Sequence, residues 1–162
     1  MNREYFIVEL STSIQLGLPL VDMGTVAQFE QKDICLVPGV APFWYGVVNF
    51  KGSLLWVLDT DHFFNLDANL DIISDRLNSK FTSVLLTHQI KGTKRRTAIV
   101  VRKLHGLLTV ESSTLKPLST SVPSSLQMVC KAEAEKDNQI VYILDSPVFL
   151  QQLHQKSTLV YT

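Results

Sequence analysis

The sequence predicts a mainly β protein, and three observations carry that expectation. Short runs of aromatic and β-branched residues recur along the chain, separated by turn signals such as Pro38-Gly39 and Lys51-Gly52. No alternation of strand and helix periods is visible, which argues against a parallel nucleotide-binding sheet. The clearest helix start, Asp145-Ser146-Pro147, comes only near the C-terminus.

Tyr5-Phe6-Ile7-Val8-Glu9-Leu10 reads as the opening strand, Ser11-Thr12-Ser13 as a turn, and residues 14–18 as a returning strand that Pro19 ends. Leu20, Val21, Met23, Val26, Ala27 and Phe29 recur at roughly helical spacing and predict a short helix, weakened by Gly24 and two β-branched residues. Pro38-Gly39 suits a type II turn, because proline fixes the first φ and glycine accepts a positive one. Pro42 then precedes the aromatic turn Phe43-Trp44-Tyr45-Gly46. Residues 47–50 and 54–58 flank Lys51-Gly52-Ser53 as a tight hairpin. Asp59, Thr60 and Asp61 offer cap oxygens for a single helical turn through His62, Phe63 and Phe64.

Residues 65–79 are polar and mixed, and the chain is expected to cross between two halves near residues 65–80. Residues 81–89 and 98–101 read as strands around a loop at Gly92, and the β pattern continues past Gly106 to Val110. Residues 111–125 are rich in Ser, Thr and Pro and read as loop. Residues 126–130 and 140–144 read as strands around a charged turn, residues 131–138. Asp145 or Ser146 caps the final helix, Pro147 sits in its first turn, and Val148, Phe149 and Leu153 form its apolar face.

Composition narrows the function classes. With 46% apolar and 19% charged residues, the chain can fill a packed interior. Fifteen bases balance fifteen acids, so the basic excess of a protein living on a polyanion is missing. Cys35 and Cys130 match no ligand or redox spacing; two buried thiols in a reducing compartment fit them, with a disulfide left open. The apolar run at residues 5–8 is too short for a signal-peptide core, and no stretch approaches the ~20 residues of a membrane span. A cytoplasmic protein is expected.

Residues 37–52, Val37-Pro38-Gly39-Val40-Ala41-Pro42-Phe43-Trp44-Tyr45-Gly46-Val47-Val48-Asn49-Phe50-Lys51-Gly52, resemble the strongest segment of the CheW coupling proteins of bacterial chemosensory arrays. That family reads as two closely spaced prolines, then Gly-Val-Ile-Asn-Leu-Arg-Gly and a strand ending in Ile-Asp, matched here by Val57-Leu58-Asp59. The resemblance reaches outward to residues 5–18, 97–110 and 140–150. It implies a single domain over residues 1–162, built from two intertwined five-stranded SH3-like β-barrels with short helices, a C-terminal helix and an apolar seam. It also implies no active site, no metal and no cofactor. The implied partners are the regulatory domain of a CheA-like histidine kinase and the cytoplasmic tip of a chemoreceptor.

The partner-binding positions implied are Met23, Thr25, Phe43, Trp44, Tyr45, Asn49, Lys51 and Arg102. The chain departs from the pattern at Lys51, where relatives usually carry Arg, and at Thr25, where an acidic residue is common. It departs also at Trp56, a frequent proline, and at Arg102, often Asp. These departures suggest a divergent member serving pilus motility or phototaxis. Substitution of Trp44 or Lys51 is expected to weaken partner binding more than it lowers the melting temperature.

Other chemistries compete. Asp59, Asp61 and His62 suggest a metal or acid–base cluster, but neighbours along a chain end point different ways, and capping accounts for the carboxylates. His88, His105 and His154 are isolated. Lys91, Lys94, Arg95, Arg96, Arg102 and Lys103 make a basic hairpin, so a barrel module binding nucleic acid or an acidic partner through residues 91–103 is the alternative function. No aromatic residues interleave with those bases in sequence, which favours an acidic protein surface.

Overall fold

The computed structural model describes residues 1–66 and 80–159. Ten strands dominate them: β1 (Asn2–Glu9), β2 (Gln15–Pro19), β3 (Met23–Glu30), β4 (Trp44–Phe50), β5 (Ser53–Leu58), β6 (Lys80–Ile90), β7 (Thr93–Val101), β8 (Lys103–Glu111), β9 (Cys130–Lys136) and β10 (Gln139–Leu144). Two one-turn helices, α1 (Thr60–Phe63) and α2 (Ser124–Gln127), and the longer α3 (Ser146–Leu159) join them, with 3-10 turns between strands.

Three hairpins close through two-residue loops with both residues at positive φ: Lys51-Gly52, Lys91-Gly92 and Asp137-Asn138. That conformation matches the right-handed twist of the strands it connects. The strands assemble into two five-stranded sheets, ordered β8-β1-β2-β10-β9 and β3-β6-β7-β5-β4. Each is antiparallel except for one parallel pair, β2 with β10 and β5 with β7. Each curls closed by the same device. Cys35, beyond β3, bridges Val47 of β4, and Lys116, beyond β8, bridges Glu133 of β9. The result is the expected pair of SH3-like barrels, the second inserted within the first. Closure removes most of the exposed strand edge.

Unbroken apolar runs make sense in this arrangement because many strands bury both faces. Tyr5 and Ile7 of β1 fill the first barrel with Leu108, Val141 and Ile143. Phe29, Val48, Leu55, Val57, Phe81 and Ala98 fill the second. The opposite faces meet in a seam, where Val8, Leu16 and Leu18 of the first barrel join Val84, Leu86, Ile99 and Val101 of the second. Phe63, Phe64, Phe149, Leu150 and Leu153 from α1 and α3 complete it. The seam holds more buried apolar residues than both barrel interiors together.

Four expectations require correction. The helix expected over residues 20–29 is a 3-10 turn, Leu20–Asp22, followed by β3, which pairs Phe29 with Phe81. Gly24 disfavours a helix, the β-branched Thr25 and Val26 suit a strand, and Val21 and Val26 face solvent instead of completing a helical stripe. The charged turn at residues 131–138 is mostly strand β9: Ala132 and Ala134 point inward, Glu135 outward, and the turn shrinks to Asp137-Asn138. Leu126, expected in a strand, lies in α2. Cys35 is exposed, and only Cys130 is buried.

The crossing expected near residues 65–80 falls mostly outside the described residues. That stretch links β5 and β6, which share a sheet. The changes of sheet among the described strands fall elsewhere, at Leu20–Asp22 and again at Arg102.

Candidate functional site

The proline-bent segment before β4 owes its shape to residues whose roles are internal. Gly46 has φ 142°, and a Cβ there would overlap the carbonyl oxygen of Cys35. This close approach lets the Val47 amide donate to the Cys35 carbonyl at 2.9 Å, and the Cys35 amide to the Val47 carbonyl at 2.8 Å. Asn49 accepts a hydrogen bond from the Gly52 amide at 3.1 Å, which closes the β4–β5 turn. Asn49→Ala is therefore expected to cost about 0.5–1.5 kcal/mol in thermal denaturation, the net worth of one such bond. No change in stability would remove that role.

Phe43 is buried, its ring 5.3 Å from both Trp44 and Phe63. Tyr45 turns to the other face and packs on Phe81 in the second barrel, 4.9 Å between centroids. Trp44 is half-buried; its Nε1 donates to Ser157 Oγ of α3 at 2.9 Å, and its ring lies 5.3 Å from Trp56. Arg102 is tied inward. Its Nε stands 3.5 Å from the Asp61 carboxylate, and its amide donates to the Glu9 carbonyl at 2.8 Å. Asp61, only 5% exposed, also accepts from the Ser11 amide and hydroxyl at 2.9 and 2.7 Å. This network ties the passage at Arg102 and the β1–β2 turn to α1; Asp59 is the residue that caps α1, accepting from the His62 amide at 3.2 Å.

The eight candidate positions therefore divide. Phe43 packs into the seam, Tyr45 and Asn49 shape the second barrel, and Arg102 stitches the two barrels together. Met23 is half-buried against the seam. Thr25 and Lys51 are exposed, and the Thr25 hydroxyl donates to the neighbouring Val26 carbonyl at 3.2 Å. Lys51 sits at the hairpin tip with its Nζ 5.3 Å from the Phe50 ring. Trp44 couples β4 to α3, so its truncation also removes an intramolecular bond. Lys51 is the cleaner probe of a partner.

Sequence reasoning passed over the exposed apolar residues. Leu104 and Leu107 of β8 are 41% and 52% exposed. A bulge at His105-Gly106 puts both on one face, opposite Val8 and Phe6, so the seam continues to the surface there. Val21 in the passage to β3 is 93% exposed and Leu54 in β5 is 70% exposed. Leu54 had a readable signal: a two-residue hairpin loop pairs it with Asn49, which faces solvent.

Acid–base chemistry finds little purchase here. Among the described residues no three His, Cys, Asp or Glu side chains converge to hold a metal. Burial pushes the Cys130 thiol up to about 12, with help from Asp145, so it stays protonated. Two fused barrels joined by an apolar seam turn apolar and basic faces to solvent.

The sequence matches the family model of the CheW-like domain over residues 4–154, and the chain belongs to that family, a non-catalytic family of chemotaxis scaffolds and adaptors. Among solved structures it is similar to the scaffolding protein TtCheW from Thermoanaerobacter tengcongensis, with TM-score 0.67 and 19% identity over 89% of each chain. No curated protein matches the sequence.

Proposed function

We propose that this chain is a cytoplasmic adaptor that acts as one domain and couples chemoreceptor-type sensors to a CheA-like histidine kinase, in chemotaxis, phototaxis or pilus-motility signalling. The open end of the seam carries the proposal. Leu104 and Leu107 extend the core-facing rows of β1 into solvent, and apolar rows left uncovered at a barrel edge suit a protein partner. A receptor tip, itself a helical hairpin, would lay an apolar face there. Thr25 and Lys51, exposed on the other barrel, are offered to the kinase regulatory domain, with Met23, Phe43, Trp44, Tyr45, Asn49 and Arg102 supporting these surfaces from behind. No helix among the described residues is long and apolar enough to cross a membrane, which accords with a cytoplasmic role.

The test is a binding assay at moderate salt with the cognate kinase regulatory domain and with the receptor tip. Lys51→Glu is expected to weaken kinase binding by about tenfold or more while leaving receptor binding and the melting temperature near wild type. Loss of stability in step with binding would return Lys51 to a structural role. Absence of binding to both partners by the unmodified protein would sink the adaptor assignment.

A further inference from the structure

A groove of about 680 Å³, apart from the open seam, lies between the β4–β5 hairpin, the start of β7 and α3. Its floor is apolar: Trp44 and Trp56, with Leu150 and Leu153 from α3. Its rim carries Lys94, Arg95, Arg96 and His154, beside the exposed Leu54. Among the described residues no Asp or Glu lines it. Thr87, His88 and Gln89 stand across the ladder from these three bases, and the Asp22 carboxylate beside them is engaged by His88 at 2.8 Å.

Elsewhere the pattern differs. Arg102 meets Asp61, Lys32 meets Glu30 and His105 meets Glu9. Three adjacent cations around an apolar concavity concentrate positive potential where an anion can also lose its water. The Nε of Arg95 is buried and has no hydrogen-bond partner among the described residues. A buried donor of that kind costs free energy until an acceptor arrives. Arg96, by contrast, donates to the Leu54 carbonyl at 3.2 Å, which fixes its guanidinium at the rim.

We propose that this groove binds a short acidic segment of a partner protein. An apolar side chain of that segment rests on Trp44 and Trp56, and its carboxylates pair with Lys94, Arg95 and Arg96. Bidentate pairing favours carboxylates at the two arginines. The leucines of the floor favour an aliphatic or aromatic side chain of a peptide over a run of stacked bases, and the balanced net charge is unlike that of a nucleic-acid binder. The inference goes beyond the adaptor assignment, because it requires neither the kinase nor the receptor.

The chain has two tryptophans and both line the groove, so intrinsic emission reports its occupancy directly. The full chain is titrated with a peptide carrying glutamates around one phenylalanine and two leucines. The same peptide with lysines for glutamates, and a short oligothymidylate, are titrated alongside. Saturable change with the acidic peptide alone is expected, weakening as salt is raised. The double variant Lys94→Glu, Leu54→Glu alters two exposed rim residues and is expected to melt near wild type while weakening the acidic peptide about tenfold. No saturation below about 1 mM overturns the proposal, as does an equal response to the basic peptide. Saturation by the oligothymidylate alone assigns the groove to nucleic acid and overturns it too.

Discussion

Phe149→Ala is expected to lower the unfolding free energy by about 3–5 kcal/mol, the usual cost of truncating a fully buried aromatic side chain. Phe149 is 1% exposed, stacks on Phe64 with centroids 6.0 Å apart, and lies 5.4 Å from Phe63. All three rings stand in the seam, between strands of both barrels. The cavity left by truncation cannot collapse by moving one barrel alone, because the Asp145 amide donates to the Val129 carbonyl at 2.8 Å and anchors the start of α3. A typical domain is stable by only ~5–15 kcal/mol, so this one side chain carries a large share.

Urea denaturation checks the expectation through a lower midpoint at unchanged slope. The seam also makes a statement about cooperativity. If the barrels share one core, the variant and the wild type are each expected to unfold in a single transition. A loss below about 1 kcal/mol, or separate melting of two units, would show that the barrels hold themselves up independently.

What could be read from the sequence, and what could not, follows from the same shared core. Phe6-Ile7-Val8 and Ala98-Ile99-Val100-Val101 announced strands because both of their faces meet apolar surroundings. For that reason the runs could not say which residue faces a barrel interior and which faces the seam. Ile7 goes to one and Val8 to the other, with the same chemistry. Strand β3 was hidden because Met23, Val26 and Phe29 happen to fall three apart, while the property that made it a strand, its ladder with β6, is non-local. Strand β9 was hidden because its inward residues are alanines, whose apolar signal is small beside four surrounding lysines and glutamates.

The candidate site was legible as a motif and opaque as a set of roles. The order of Gly46, Asn49, Lys51 and Gly52 identified the family, yet Asn49 serves its own turn and Gly46 serves a close approach to Cys35. The aromatic and basic residues of the groove are separated by about forty positions in the chain. Only the parallel pairing of β5 with β7, Val57 opposite Ala98, sets Trp56 beside Thr97 and so beside Arg96. The sequence argument that no aromatics accompany the basic hairpin was sound for neighbours along the chain. It fails in space.

Gly46→Ala is expected to destabilise the protein by at least about 3 kcal/mol, beyond the ~1–3 kcal/mol that an unfavourable backbone region alone costs. Two penalties act together. At φ 142° the backbone occupies a region that side-chain-bearing residues rarely enter. The new methyl group also collides with the Cys35 carbonyl, a backbone oxygen that cannot rotate away like a side chain. Moving it breaks the paired bonds between Cys35 and Val47, which close the second barrel.

The neighbouring Gly52 supplies the control. It too has positive φ, 81°, but a Cβ there would meet nothing within 4 Å. Gly52→Ala should therefore lose only the conformational penalty of about 1–2 kcal/mol. Thermal melts of the two variants separate overlap from dihedral preference, and circular dichroism shows whether the Gly46 variant folds at all. Equal losses at the two positions would mean that the Cys35 carbonyl yields easily. The glycine of this motif would then mark a permissive turn, and the closure of the second barrel would rest elsewhere.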